Sequence, residues 1–137
     1  MQKLDELCAT WAPRLLSLLR FMTALVILQY ALTKLFGVPY LEGLANQPAF
    51  SLYWFTGVIE LVLGTLVLLG LFTRYAAFIL SGEMAFAYFI EHAPHNFFPL
   101  LNEGNEAVLF CFTFLYLAAA GSGPFSLDAA LRQNKRA

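Results

Sequence analysis

Residues 50–72 read FSLYWFTGVIELVLGTLVLLGLF, a run in which Glu60 carries the only charged side chain. A helix needs about 20 such residues, each rising about 1.5 Å, to cross the hydrocarbon core of a bilayer. The run is also bounded by turn residues, with Gln47 and Pro48 before it and Thr73 and Arg74 after it. We therefore predict that this segment is a transmembrane helix.

Three more apolar segments give the chain the same character along its length, at residues 15–36, 75–91 and 104–121. Gly70 is suited to ending the second helix and Thr73 to capping the third. The composition agrees, since 60% of the residues are hydrophobic and 12% are charged, against about 25% charged in soluble domains. We predict an all-α fold with one membrane domain over residues 1–137, an antiparallel, up-down four-helix bundle.

The distribution of basic residues predicts the orientation of this bundle. The basic residues outside the apolar segments are Lys3, Arg14, Arg74, Arg132, Lys135 and Arg136, whereas the loops after the first and third segments contain no Lys or Arg. By the positive-inside rule, both termini and the short link between the second and third segments are expected in the cytoplasm. The first segment is interrupted by Arg20, Gln29 and Lys34, which favours a retained span over a cleaved signal peptide.

Polar side chains inside the predicted spans are the candidate functional residues. A charge at the bilayer centre costs about 2.5–3.5 kcal/mol on insertion scales, so each one requires a reason. Glu60 and Glu83 lie near the middle of the second and third segments, and Lys34 and Glu106 lie near the outer ends of theirs. The predicted ligand site comprises Arg20, Tyr30, Lys34, Glu60, Arg74, Glu83 and Glu106.

Several structural interpretations of these residues stay open at this point. The long side chains of Arg20 and Lys34 are able to snorkel to the two membrane surfaces, or Lys34 to form an ion pair with Glu106. The carboxyl groups of Glu60 and Glu83 are able to pair with Arg20, to bond to Tyr or Thr hydroxyls, or to stay protonated.

Other kinds of site find little support. Cys8 and Cys111 form no Cys-x-x-Cys motif. His92 and His95 lack a third ligand at a fixed spacing, so no metal site is expected. The net charge of −1 gives the chain no basic field, so no nucleic-acid partner is expected. No known catalytic constellation is present, which leaves catalytic residues unknown and leaves open whether the protein is an enzyme.

A set of short motifs carries a family resemblance. They are YALTKLFG at 30–37, ELVLG at 60–64, LLGLFTR at 68–74, FFPLLN at 97–102, EAVL at 106–109 and GSGPFSLD at 121–128. In this order and spacing, the chain resembles the DoxX family of four-span bacterial membrane proteins over nearly its whole length. The resemblance implies the fold, the membrane location and an association with quinone-linked redox chemistry.

Three functions follow as hypotheses. The first is a quinone-binding or redox-accessory subunit that uses buried carboxylates, with quinone as its ligand and an oxidoreductase subunit as its partner. The second is a non-enzymatic membrane scaffold or assembly partner, and the third is a small proton-linked permease. In each case the lipid bilayer is a partner, and a homo-oligomer is left open.

Overall fold

The computed structural model of the chain describes residues 1–135. Arg136, one of the basic residues behind the predicted orientation, lies outside the described residues. The helices are α1 (Gln2–Phe36), α2 (Leu52–Leu69), α3 (Thr73–Ala87), a π-helical turn (Tyr88–His92) that continues α3, α4 (Asn105–Ala120) and α5 (Leu127–Asn134). No strand occurs in residues 1–135, which confirms the all-α prediction.

The four predicted segments correspond to the four long helices, with one clear error. The helix predicted at 15–36 ends at Phe36 as expected but begins at Gln2, and its first thirteen residues project from the bundle with exposed side chains. The other three agree within a few residues at each end, and α5 is an additional helix that the sequence did not predict. By length and composition, α1 and α2 are candidate membrane spans, and α4 is a shorter apolar helix.

The link between α2 and α3 shows how sequence sets the helix ends. Gly70 adopts the left-handed conformation, with φ of 69°, and a Cβ there would lie 2.4 Å from the Cβ of Ser126. Thr73 does not cap α3 as predicted, since its hydroxyl is buried without a hydrogen-bond partner. Instead, the Asp128 carboxylate accepts hydrogen bonds from the backbone N–H groups of Phe72 (3.0 Å) and Thr73 (3.2 Å). The cap therefore comes from the C-terminal segment.

Helix packing joins the elements in two pairs. α1 packs on α2 and α3 packs on α4, whereas α1 and α4 touch only sparsely. Two glycines let α1 and α2 approach, because a Cβ at Gly57 or Gly64 would lie 3.1 Å from a side-chain carbon of Lys34 or Leu28, respectively. The core between the helices consists of Ala24, Ile27, Val67, Ala76, Ala77, Leu80, Met84, Phe114 and Leu117.

The outward faces of the helices are apolar. Large exposed side chains occur around the bundle, among them Phe21, Val62, Phe78 and Phe112, the last two 65% exposed. Soluble monomers rarely expose apolar surface so extensively, and lipid is the solvent that such a surface suits. We call the end that carries the connections 37–51 and 93–104 the loop end, and the end that carries the start of α1, α5 and the α2–α3 link the terminal end.

Candidate functional site

A cavity of about 740 Å³ opens at the loop end. α1 to α4, the π-helical turn and both long connections contribute to it. Its polar and charged lining residues are Tyr30, Lys34, Glu42, Tyr53, Glu60, Glu91, His92, His95, Asn102, Glu103 and Glu106, and its apolar walls include Ile27, Leu41, Met84 and Phe110. The sparse contact between α1 and α4 leaves room for this cavity.

A buried ion pair between Lys34 and Glu60 forms part of the cavity wall. The Lys34 ammonium donates to Glu60 Oε1 at 2.7 Å and to the Thr56 hydroxyl at 3.1 Å. The two charged side chains are only 9% and 2% exposed. The sequence allowed Lys34 either to snorkel to the surface or to pair with Glu106. In the structure it does neither. Lys34 reaches Glu60 because Gly57 has no side chain. The lysine stem packs against this glycine, and Glu60 lies about one helical turn further along α2.

The ion pair leaves hydrogen-bonding capacity unused. Glu60 Oε2 is buried and has no partner among the described residues. An ammonium group has three hydrogens, and two of those on Lys34 are engaged by Glu60 and Thr56. An unused acceptor and an unused donor therefore lie side by side at a residue pair that lines the cavity.

Tyr30 and Glu106 connect α1 to α4 at the cavity rim. The Tyr30 hydroxyl donates a short hydrogen bond to Glu106 Oε2. Glu106 is exposed and Tyr30 is half-buried, so this contact is open to the cavity and to the surroundings. The pairing gives Glu106 a partner that the sequence did not indicate.

Glu83 lies beside the ion pair in a second, smaller space. This cavity of about 50 Å³ is also lined by Lys34, Tyr53, Glu60 and Glu91. Both oxygens of Glu83 are buried and have no hydrogen-bond partner within residues 1–135. The structure thus places Glu83 close to Glu60, as the prediction of a shared interior site required, and neither carboxyl group contacts Arg20.

The predicted site residues Arg20 and Arg74 lie elsewhere, at the terminal end. Arg20 is 3% exposed, and its guanidinium donates to backbone carbonyls at the end of α2 and in the segment after α4. These bonds run to Val67 (2.6 Å), Leu68 (2.5 Å), Ser122 (2.9 Å) and Phe125 (2.7 Å). Arg74 donates to the carbonyls of Ala118 (3.1 Å) and Ala119 at the end of α4.

These contacts correct the prediction that the two arginines belong to the ligand site. The last carbonyls of a helix have no partner within the helix, and a guanidinium carries five donors in a fixed fork. Arg20 and Arg74 therefore hold the terminal end of the bundle together. Snorkelling of Arg20 is ruled out by its burial.

Sequence reasoning missed the contribution of the loops to the cavity. The acids Glu42, Glu91 and Glu103 line it, although Glu42 and Glu103 come from two separate connections and Glu91 from the π-helical turn. Asn102 is the organising residue of the second connection, because its side chain donates to the Asn96 carbonyl at 2.9 Å and accepts from the Gly104 N–H at 2.8 Å. In residues 1–135, no three His, Cys, Asp or Glu side chains are arranged to hold a metal ion.

Comparison with known proteins agrees with this architecture. The family model described as DoxX matches residues 15–93, which hold α1 from residue 15 onward and all of α2 and α3, with the Lys34–Glu60 pair and Glu83. The chain is also 38% identical over 125 residues to a protein of Haemophilus influenzae described as an uncharacterized protein, and the alignment covers 86% of this chain and 91% of the relative. No solved structure matches it significantly. With a family match over more than half of its residues and a full-length relative, the chain belongs to the DoxX family of membrane proteins.

Proposed function

We propose that this DoxX protein crosses the bacterial inner membrane four times and binds a quinone head group in its loop-end cavity. In this arrangement both termini and the α2–α3 link lie in the cytoplasm, and the loop end faces the periplasm. The described basic residues outside the spans support the orientation, because they belong to the terminal end while the cavity-lining loops are acidic.

The lengths of the helices support four spans. α1 and α2 are long enough by themselves. α3 and its π-helical continuation together cover residues 73–92 without interruption, which corresponds to about 30 Å of helix. α4, with 16 residues, gives about 24 Å. Its flanking residues and a local thinning of the bilayer make up the remaining thickness.

The observation that carries the ligand proposal is the adjacent unused donor and acceptor of the Lys34–Glu60 pair. A quinone carbonyl accepts hydrogen bonds, and the hydroxyl of the reduced form both donates and accepts. The free Lys34 hydrogen is suited to either form. Glu60 Oε2 is buried in the structure, and in this proposal a small movement of its side chain lets it accept from the hydroxyl of the quinol. The pair therefore provides hydrogen bonds for both oxidation states.

The dimensions and charge of the cavity also suit this ligand class. Small-molecule sites generally measure about 300–1,000 Å³ and combine apolar walls with a few polar groups, and this cavity has about 740 Å³. Among the described residues, Lys34 is the one Lys or Arg in its lining, against the acids Glu42, Glu60, Glu91, Glu103 and Glu106. Such a balance favours a neutral ligand such as a quinone over an anion. Electrons would be exchanged with an oxidoreductase partner, and this part of the proposal rests on the family resemblance.

Titration of the purified protein with a short-chain quinone, followed by tryptophan fluorescence, tests the proposal. Hydrogen bonds to charged groups contribute about 1.5–3 kcal/mol, so Glu60→Gln is expected to weaken quinol binding about tenfold or more. Glu6→Gln is the matched control, because it makes the same chemical change on the exposed start of α1. Equal affinities of the wild type and Glu60→Gln for both quinone and quinol would contradict the proposal.

A second function, as a scaffold for another protein, is favoured by the start of α1. Leu4, Leu7 and Trp11 follow one another at helical spacing, and all three are about half exposed or more on the segment that projects beyond the bundle. Cross-linking in native membranes from Glu6→Cys, with Cys8 replaced by serine, tests this function. A stoichiometric adduct supports a scaffold, and its absence argues against one.

A further inference from the structure

The short helix α5 is tied to the link between α2 and α3. The backbone N–H of Asp128 donates to the Gly70 carbonyl at 2.9 Å. The carboxylate of Asp128 accepts hydrogen bonds from the N–H groups of Phe72 and Thr73. In the proposed four-span arrangement this link joins two membrane spans, so it lies at the membrane surface. α5 therefore begins at the depth of the lipid head groups.

α5 carries an apolar face that the bundle leaves uncovered. Leu127 and Leu131 lie one helical turn apart on this face and are 44% and 52% exposed. Within residues 1–135, contacts between α5 and the other helices are sparse. The half-buried Asp128 and Ala129 form the side that faces the bundle, and at about 100° per residue the leucines lie roughly a third of a turn away from it. This separation is expected of a helix that lies beside a bundle with its apolar face on the bilayer.

The surface that adjoins α5 is apolar and aromatic as well. Phe125, two residues before α5, is 67% exposed, and Phe72, which donates to Asp128, is 61% exposed. Tyr75 in the first turn of α3 is 76% exposed. Aromatic side chains are frequent in membrane proteins at the level of the head groups. The apolar face of α5 therefore continues the surface that the bundle presents to lipid.

The charge of α5 favours an anionic surface. Arg132 and Lys135 are exposed, and Arg132 engages only its Nε among the described residues, in a 3.1 Å hydrogen bond to the Asp128 carbonyl. The single acid of this helix, Asp128, uses its carboxylate to cap α3. The exposed charge of α5 is thus positive, and helices that combine basic and apolar faces are attracted to membranes with anionic lipids.

We propose that α5 lies on the membrane surface, with Leu127 and Leu131 in the bilayer and with Arg132 and Lys135 on the phosphates of anionic phospholipids. Long basic side chains reach the head groups while their stems stay on apolar surface. Because the contacts of Asp128 tether α5 to the bundle, the helix is held close to the bilayer and a short apolar face is sufficient. The inference rests on the four-span part of the proposed function and is independent of the quinone.

Spin labels on the full chain test the inference in lipid vesicles. In a Cys8→Ser/Cys111→Ser background, one protein is labelled at Leu131→Cys and the matched control at Gln133→Cys, an exposed position on the opposite side of α5. In vesicles of phosphatidylcholine and phosphatidylglycerol, the label at position 131 is expected to collide more with dissolved oxygen than with a water-soluble nickel chelate. The label at position 133 should show the reverse preference.

The role of the head groups is tested by removing either partner. In vesicles of phosphatidylcholine alone, the ratio of oxygen to nickel collisions at position 131 is expected to fall several-fold, towards the ratio at position 133. The double variant Arg132→Gln/Lys135→Gln should lower it in the same way in the mixed vesicles. A ratio that responds to neither change would overturn the assignment of anionic lipid as the partner.

Two further results would contradict the surface location. Equal ratios at positions 131 and 133 in the mixed vesicles would place α5 in water, and protection of position 131 from both reagents would show that a protein covers the leucines. A label at Phe78→Cys, on the 65% exposed outer face of α3, is the reference for a span. Access of the nickel chelate to it would contradict the four-span proposal, whereas a lipid signal there with a water signal at position 131 would contradict the location of α5 alone. Circular dichroism of each variant confirms that the bundle is retained.

Discussion

A side chain at Gly57 would meet the stem of Lys34, because a Cβ placed there lies 3.1 Å from Lys34 Cβ and 3.2 Å from Leu35 Cγ. Gly82 on α3 provides a contrast, since a Cβ there meets nothing within 4 Å. The same substitution at these two glycines therefore separates the effect of packing from the effect of helix propensity.

Gly57→Val is expected to destabilise the protein by about 1–3 kcal/mol, the usual cost of overpacking a close contact. It should also displace Lys34 from Glu60 and weaken quinone binding. Thermal unfolding in detergent measures the first effect and ligand titration the second. Gly82→Val is the control, and equal losses of stability in the two variants would show that α1 and α2 do not depend on Gly57 for their contact.

The Lys34–Glu60 pair gives a second prediction at the level of residues. Lys34→Met leaves Glu60 buried without its cation, and breaking a buried pair in this way costs about 3–5 kcal/mol. In the double variant Lys34→Met/Glu60→Leu no charge is left unpaired, so most of the stability should return while quinone binding should not. Unfolding measurements on Lys34→Met, Glu60→Leu and the double variant give the coupling energy between the two side chains. Additive losses would contradict a direct ion pair.

The sequence predicted which residues are polar and buried but not which of them meet. Glu60 and Glu83 were identified from their depth in apolar segments, because a short carboxylate side chain cannot reach water from there. For Lys34 the sequence left open snorkelling or an ion pair with Glu106, yet it contacts Glu60 because Gly57 leaves the space for its stem. Such a pairing depends on helix contacts in three dimensions, which one sequence does not contain.

Among the helices, α3 depends on a cap from a distant part of the chain. The Asp128 carboxylate accepts hydrogen bonds from the N–H groups of Phe72 and Thr73, and Asp128 also lies in the first turn of α5. Loss of an N-terminal cap costs about 0.5–2 kcal/mol, so Asp128→Ala is expected to destabilise the terminal end by this amount. Chymotrypsin should also cleave the C-terminal segment of Asp128→Ala faster than that of the wild type.

The control for this prediction is Asp5→Ala, which removes an exposed carboxylate from the first turn of α1. Thermal unfolding of both variants measures the difference. If Asp128→Ala and Asp5→Ala unfold at the same temperature, the C-terminal segment does not stabilise α3.

Helix positions were predictable to the extent that apolar composition defines them. Gly37 and Gly70 end α1 and α2 in the left-handed conformation, as glycines after apolar runs commonly do. The start of α1 was predicted wrongly because residues 2–14 include the charged residues Lys3, Asp5, Glu6 and Arg14 and do not register in a search for spans. The cap of α3 was assigned to Thr73 because a side chain 55 residues away cannot be found from local sequence.

On the scale of the whole molecule, the proposed orientation places the two ends of the bundle in different compartments. Cys8 is exposed near the N-terminus and Cys111 is partly buried. Two single-cysteine proteins are compared, both in a Cys111→Ser background: one retains Cys8, and the other lacks Cys8 and carries Glu103→Cys. A membrane-impermeant maleimide added to spheroplasts should leave Cys8 unlabelled in the first protein and should label Glu103→Cys in the second. Inside-out vesicles should give the opposite result. Labelling of Cys8 in intact spheroplasts would contradict the orientation.

The all-helical fold followed from the sequence more completely than the site did. Four apolar segments joined by short and long connections account for the outward-facing apolar surface and for the two helix pairs, α1 with α2 and α3 with α4. The cavity was not predicted, because it arises from the sparse contact between α1 and α4 and from loop residues such as Glu42 and Glu103. Arg20 and Arg74 were included in the site because they are charged, whereas their contacts are with helix-end carbonyls.

The most direct test of the central claim is the amount of quinone that the protein retains when it is purified from its own membranes. Lipid-soluble molecules are extracted from the wild type, Glu60→Gln and Glu6→Gln and quantified by mass spectrometry against protein. We expect about one quinone per chain in the wild type and in Glu6→Gln, as a single site requires, and a strong depletion in Glu60→Gln. Equal quinone content in wild type and Glu60→Gln, or none in a correctly folded wild type, would contradict the account.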